Sequence, residues 1–289
     1  MLTVVAGLSS ALCYGISDLL AQRLARIMGV LGILRWIVPT TAVVVAPIAL
    51  LVDGLPADGS QWRSVAYSAA AGVLYLGAFY GAFAALKVGD LSVVAPLISL
   101  QAAFVVAFAF VDGETIAALQ AVGIALAVLG GLLVAVQGRA SSAAGVGFAL
   151  LAAVSWALTL LLFRHAGDIT WLSQTAWSRT ATVLVFIPFA ALLRRYEAGK
   201  DVTPGERQPV NPRARAWCVV AGLVELVGLM AATIAVQLGP LAVAGVTVSQ
   251  YATVAVLLGV VLLGERLRPH QLAGVVCTVV AVSMLSSVA

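Results

Sequence analysis

Long apolar runs alternate with short polar breaks from one end of the chain to the other. The runs cover Leu2 to Ala21, Ile27 to Val52, Ser64 to Leu86, Leu91 to Val111 and Ile116 to Gln137. After a small polar link, Gly138 to Gly145, they continue as Val146 to Phe163, Trp171 to Leu193, Trp217 to Val236, Leu241 to Leu263 and Gln271 to Val288. Each is close to the ~20 residues a helix needs to cross the hydrocarbon of a bilayer. In lipid every backbone amide must bond within its own segment, so runs of this length are helices; barrel strands are about half as long and alternate. The pattern predicts an all-α polytopic membrane protein of ten transmembrane helices.

The second five runs echo the first. Gly89-Asp90-Leu91 is answered by Gly239-Pro240-Leu241, Ser99 by Ser249, Gly113-Glu114 by Gly264-Glu265, and Gln120 with Gly123 by Gln271 with Gly274. Two five-helix units follow, residues 1–138 and 145–289. An odd number of spans per unit makes the second enter the bilayer with opposite orientation, so the expected architecture is two inverted repeats with a cavity at their interface. Leu2 to Ala21 is read as the first span and not as a signal peptide, because no basic segment precedes it and no small-residue cleavage site follows.

Composition agrees with this class. Hydrophobic residues make up 62% of the chain, charged residues 10%, and mean hydropathy is +1.09, against about a quarter charged in soluble domains. The net charge of +4 is topogenic and no sign of nucleic-acid binding. Apart from Arg35, Arg63, Arg164 and Arg179, every Lys and Arg falls in a break after an odd-numbered span. By the positive-inside bias these breaks face the cytoplasm and both termini lie outside it, in the inner (plasma) membrane of the cell. The long break Arg194 to Arg215, rich in Pro, Gly and charge, is expected to be a surface loop. Cys13, Cys218 and Cys277 fall singly inside apolar runs and read as packing residues.

Charges inside spans are the candidates for chemistry. Glu225 lies near the middle of the eighth run, where an ionised carboxylate costs ~3 kcal/mol. Cys218, Ala221, Gly222, Gly228 and Ala232 form its small-residue face, so it points inward. The echo puts Tyr75 at the matching place. Arg179 and Arg35 look like repeat partners, and Arg179 is within reach of Glu225, either as a structural ion pair or as part of a binding site. Asp18, near the end of the first run, is either an interfacial carboxylate paired to Arg23 or a site residue. Thr247, Ser249, Gln250 and Tyr251, with Ser99 and Gln101, add hydroxyls and amides whose ordinary use is bonding between helices. Pro96 is expected to bend the fourth span. Trp156 is an aromatic residue within a span, while Trp62, Trp171 and Trp217 suit an interfacial belt. Glu114 and Glu265 are expected to stabilise the helices that follow them. His165 and His270 are single histidines at span ends, so no metal site and no cofactor are expected.

The duplication, the Gly-Glu breaks and the Gln and Gly that follow them resemble the EamA-type drug/metabolite transporters. Gly264-Glu265-Arg266-Leu267 is the closest match; the first copy, Gly113-Glu114-Thr115-Ile116, lacks the Arg. The resemblance implies no enzyme but a carrier with a central cavity opened alternately to either side, exporting small metabolites such as amino acids or drug-like solutes. Family members carry cytoplasmic termini, opposite to the charge count. On this reading Glu225, Arg179, Arg35, Tyr75, Ser99, Gln101, Thr247, Ser249, Gln250, Tyr251, Asp18 and Trp156 contact the substrate, and Glu225 carries the proton if transport is proton-coupled. An uptake permease for sugars is the alternative of the same architecture. An intramembrane enzyme acting on lipid-linked substrates is disfavoured, because the acids are scattered.

Overall fold

A computed structural model describes residues 1–88, 97–135, 145–198, 212–263 and 268–288. Every regular element among them is an α-helix: α1 (Leu2–Val52), α2 (Gly59–Val88), α3 (Gln101–Val111), α4 (Ala118–Ala135), α5 (Val146–His165), α6 (Trp171–Ala198), α7 (Pro212–Leu238), α8 (Leu241–Val248), α9 (Tyr251–Leu263) and α10 (Pro269–Val288). Seven helical segments are long and apolar enough to cross a membrane, and three shorter apolar ones accompany them. Trp62, Trp171 and Trp217 are all well exposed near helix starts.

The first two expected spans are the arms of α1, Leu2–Ala21 and Leu31–Val52. Gly29 separates them with φ 69 and ψ 168, a backbone position open to glycine and strained for other residues. α2 begins on Asp58, whose Oδ1 accepts from the Gln61 amide at 2.9 Å and the Ser60 hydroxyl at 2.8 Å. Those bonds hold the Asp58 carboxyl below the ordinary aspartate range. α6 and α7 reach into the expected loop, whose residues 199–211, like Pro96 and Gly264 to Leu267, lie outside the described residues.

The ninth expected span is two helices. α8 stops at Val248 and α9 starts at Tyr251, with a turn at Ser249 and Gln250. The fourth turns at the equivalent place, Leu100, just before α3. Neither break has glycine or proline at the turn itself. The Gln250 backbone N–H turns to Thr247 O, and Gln250 Nε2 donates instead to the Val246 carbonyl thus freed, at 3.2 Å, while Ser249 Oγ adds a second bond to Gly245 O at 2.7 Å.

α4 and α10, and likewise α3 and α8, run antiparallel where they meet. In α4 and α10, Gly123 lies on Ala281 and Leu285 while Gly130 lies on Gly274 and Thr278. A side chain at Gly130 would collide with the Gly274 carbonyl, so only glycine lets these backbones approach so closely. In α3 and α8, Gln101 Nε2 donates to Ser249 Oγ at 3.2 Å, and one turn on Val105 fills the space over Gly245. The remaining packing repeats too. α7 lies between the two arms of α1, where Ser17 Oγ donates to Ala221 O and Gly222 sits on Ile37. α2 lies between α5 and α6, where Thr159 Oγ1 reaches Ala71 O and Thr182 Oγ1 donates to Gly72 O.

Glu114 corrects an expectation. Its carboxylate accepts the N–H groups of Leu241, at 2.5 Å, and of Ala242, at 3.1 Å, and so caps α8 in the other half instead of α4 that follows it. The break after α3 is where this reach is possible: α3 and α8 are antiparallel, so the end of one abuts the start of the other.

Candidate functional site

Four helices converge on the buried charges. Arg179 on α6 and Glu225 on α7 are each 1% exposed, and Arg179 Nη2 stands 2.5 Å from Glu225 Oε1. Two features bring Arg179 inward. Gly72 of α2 has no side chain where the Ser178 carbonyl passes, and Thr182, the next turn of α6, is bonded to Gly72 O at 2.9 Å. The guanidinium Cζ stands over the Tyr75 ring of α2, 4.0 Å from its centre, where the negative face of the ring attracts the cation.

Aromatic rings complete the floor. Trp156 on α5 meets Tyr75 edge-on at 4.6 Å and Tyr14 of α1 at 5.4 Å; Tyr75 also meets Phe79 at 5.0 Å. Gly228 of α7 opens the space that the Tyr14 ring occupies. From this floor a narrow crevice rises between α1, α2, α6 and α7, walled by Leu34, Ile37, Val38, Leu76 and Phe79. Its free space is close to that of one water molecule. On residues that line the crevice, Glu225 Oε2, Arg179 Nε and the Tyr75 hydroxyl are buried without a hydrogen-bond partner, as are the hydroxyls of Tyr14 and Ser178. Such atoms are costly to bury and call for a partner of complementary charge.

Of the residues singled out from sequence, Glu225, Arg179, Tyr75 and Trp156 come together here. Arg35 does not. It is exposed on the outer side of α1, while Leu34, Ile37 and Val38 face the crevice. Leu34, the residue before it, takes the position that lines the crevice. One residue rotates a helix position by about 100°.

Asp18 stands on the same stripe of α1 as the buried Ala11, Tyr14 and Ala21, and is half-buried. The polar residues of α8, α9 and the turn between them are hydrogen-bonded within and between helices. Thr247 Oγ1 donates within α8, Gln250 Nε2 reaches Ala127 O, and Gln250 Oε1 accepts from Thr253 and Thr278. Gln101 holds Ser249, Ser99 is buried beside that break, and Tyr251 packs partly buried at the start of α9, its carbonyl against Gly15. Tyr14 and Phe79 were not singled out. Tyr14 had a signal: in the echo of the first and sixth runs it answers Trp156, the ring it touches.

One end of the helix bundle is tied shut by polar contacts. His165 Nε2 meets Asp112 at 3.0 Å, Arg63 meets Asp168 at 3.6 Å, and Arg164 donates to Val236 O. Asp53 accepts from Thr170 and from Ser173, and Gln237 donates to Ile169 O. These residues all belong to the breaks after even-numbered spans, or to the helix ends beside them, and Glu114 on α8 lies at the same end.

Long apolar helices, buried charges and a crevice between two half-molecules define an integral membrane protein with an enclosed polar centre. A model of the EamA-like transporter family matches residues 1–136 and 143–287, covering both units. The chain belongs to that family and has the fold of its membrane transporters. A solved structure described only as the crystal structure of a protein is similar in fold: 18% identical, TM-score 0.74, covering 99% of this chain and 97% of its own. No curated protein sequence matches the chain.

Proposed function

We propose that the protein exports small amphipathic metabolites carrying both an ammonium and a carboxylate, by alternating access at the interface of two inverted repeats of five spans each, residues 1–138 and 145–289. The antiparallel contacts of α4 with α10 and of α3 with α8 support the inversion, since each pair joins counterpart helices. Ten crossings follow when the arms of α1 count as two and α8 with α9 as one.

The observation that carries the reading is the Arg179–Glu225 pair, enclosed at 1% exposure and flanked by polar atoms that lack partners. A purely structural pair is expected to have its remaining lone pairs and protons satisfied. A zwitterionic solute supplies the missing partners, its ammonium to Glu225 Oε2 and its carboxylate to Arg179 Nε and the tyrosine hydroxyls. Its apolar part rests on Trp156, Tyr75 and Phe79. The crevice as it stands is too tight for such a solute, which fits a closed stage of the cycle. With even-numbered breaks tied together and the basic residues concentrated in the odd ones, this stage is shut toward the outside.

Radiolabelled tryptophan loaded into proteoliposomes tests this. Saturable efflux from vesicles holding the protein, absent from empty ones and competed by other zwitterions more than by sugars, is the expected result. Flux equal to that of empty vesicles for every zwitterion tried, or competition by sugars alone, overturns it.

A further inference from the structure

Two groups of helices meet along the centre: α7 lies between the arms of α1, and α2 lies between α5 and α6. Towards the odd-numbered breaks they are joined by an apolar cluster, Leu34 and Val38 of α1 with Leu76 of α2 and Phe186 of α6. Towards the even-numbered breaks the joints are polar. Asp53, directly after α1, sets one carboxylate oxygen against two hydroxyls at the start of α6: Thr170 Oγ1 and, at 2.7 Å, Ser173 Oγ both donate to its Oδ2. Thr170 Oγ1 in turn accepts the Ser173 N–H at 3.1 Å, a bond that caps α6. A hydroxyl that gives its proton to Asp53 turns a lone pair to that N–H, so the carboxylate orients the cap, and its charge lies at the positive end of the α6 dipole. Asp53 and Thr170 are exposed, so water can replace what each gives the other. Gln237 at the end of α7 adds a bond to Ile169 O at 3.0 Å.

Behind this joint the two groups touch through hydroxyls shut off from solvent. Thr175 of α6 and Thr233 of α7 are fully buried, with their Oγ1 atoms 3.4 Å apart. Gln174 Oε1, one residue before Thr175, and Ser10 Oγ, one turn from Tyr14 towards Met1, are buried without a hydrogen-bond partner. Thr3 rests on Gly239, which places Met1 at the same end as Asp53. All four side chains therefore lie between that end and the Arg179–Glu225 pair. Buried polar atoms without partners are costly in a fixed core, and they suit a surface that is wetted in another arrangement of the same helices.

We propose that Asp53 is the clasp of the outward gate: bonded to Thr170 and Ser173 it holds the α1–α7 group on the α2–α5–α6 group, and its release opens a path past Thr175 and Thr233 to the buried pair. No covalent bond changes; the hydroxyls exchange a carboxylate for water. The proposal rests on the reading of the centre as a transport site shut toward the outside. Its test reads the exposure of the path and not flux, so the two fail separately.

The test is the rate at which a charged, membrane-impermeant maleimide labels Thr233→Cys in nanodisc-held protein whose own cysteines are replaced by alanine, with Val38→Cys, on the crevice wall, as the control. Asp53→Ala is expected to speed labelling at the Thr233→Cys site roughly tenfold, as the lost hydrogen bonds imply, and not to speed it at the Val38→Cys site. Thr170→Val, which removes a donor and leaves the charge, is expected to act in the same direction. Asp53→Asn keeps an acceptor oxygen and is expected to act less strongly; it serves as the reading should circular dichroism show that the alanine variant has lost helicity. Labelling at the Thr233→Cys site that none of these variants changes, or that rises equally at the Val38→Cys site, overturns the proposal, whether or not the protein transports tryptophan.

Discussion

Arg179 Nη2 and Glu225 Oε1 stand 2.5 Å apart on neighbouring helices, 46 positions apart in the chain, and both side chains are shut away from solvent. Removing one partner strands the other as a lone buried charge, at a cost of about 3–5 kcal/mol. Glu225→Ala is therefore expected to lower the melting temperature of the purified protein sharply, as is Arg179→Ala. The double variant Arg179→Met with Glu225→Gln, which leaves no charge, is expected to recover most of the loss. Equal melting of the single and double variants would contradict the pairing.

Arg35 faces away from the crevice, so Arg35→Ala is expected to change stability by no more than about 0.5 kcal/mol and to leave tryptophan efflux intact. Leu34→Ala, on the crevice wall, opens space beside Arg179 and is expected to cost about 2–5 kcal/mol as a buried large-to-small change. Thermal melts of the two variants side by side check the rotation of α1: reversal of their order would mean that Arg35 and not Leu34 points inward.

Glu114 ties the two halves together through the first amides of α8. Glu114→Ala is expected to cost about 0.5–2 kcal/mol, the usual worth of a helix cap, and to speed hydrogen exchange at Ala242 more than at Phe104, far from the cap. Unchanged exchange at Ala242 would show that the cap does not operate.

The cap on α2 depends on pH in a definite direction. Because the folded Asp58 carboxyl lies below its ordinary value, its contribution is present above the unfolded aspartate range and is lost as pH falls through the folded value. Protection of the Gln61 amide, corrected for intrinsic exchange, is expected to hold at neutral pH and fade in acid. In Asp58→Asn that fading should flatten; a wild-type fading that persists unchanged in the variant rules the carboxyl out as its cause.

What sequence made legible was charge against an apolar background. Glu225 and Arg179 stand out because ionised groups in spans need a reason to be there, and the small-residue face beside Glu225 gave its direction. Tyr75 followed from the repeat. Tyr14 and Phe79 did not stand out, because an aromatic ring within an apolar run is ordinary packing until its neighbours are known. Arg35 lies off the crevice because a helix turns about 100° per residue, so its neighbour Leu34 faces inward while Arg35 faces out. The cap of α8 by Glu114 and the turn at Ser249 and Gln250 were hidden for another reason. The cap depends on a partner distant in the chain, and the turn at Ser249 and Gln250 rests on a side chain that replaces a backbone bond, with no glycine or proline at the turn to mark it.

The central claim is that the enclosed pair binds the solute and does not merely hold α6 to α7. Tryptophan efflux from proteoliposomes holding the Arg179→Met, Glu225→Gln double variant tests it most directly, since that variant is expected to fold. The account predicts efflux no faster than from empty vesicles at a melting temperature near that of the wild type. Efflux at the wild-type rate from the neutral pair would contradict it.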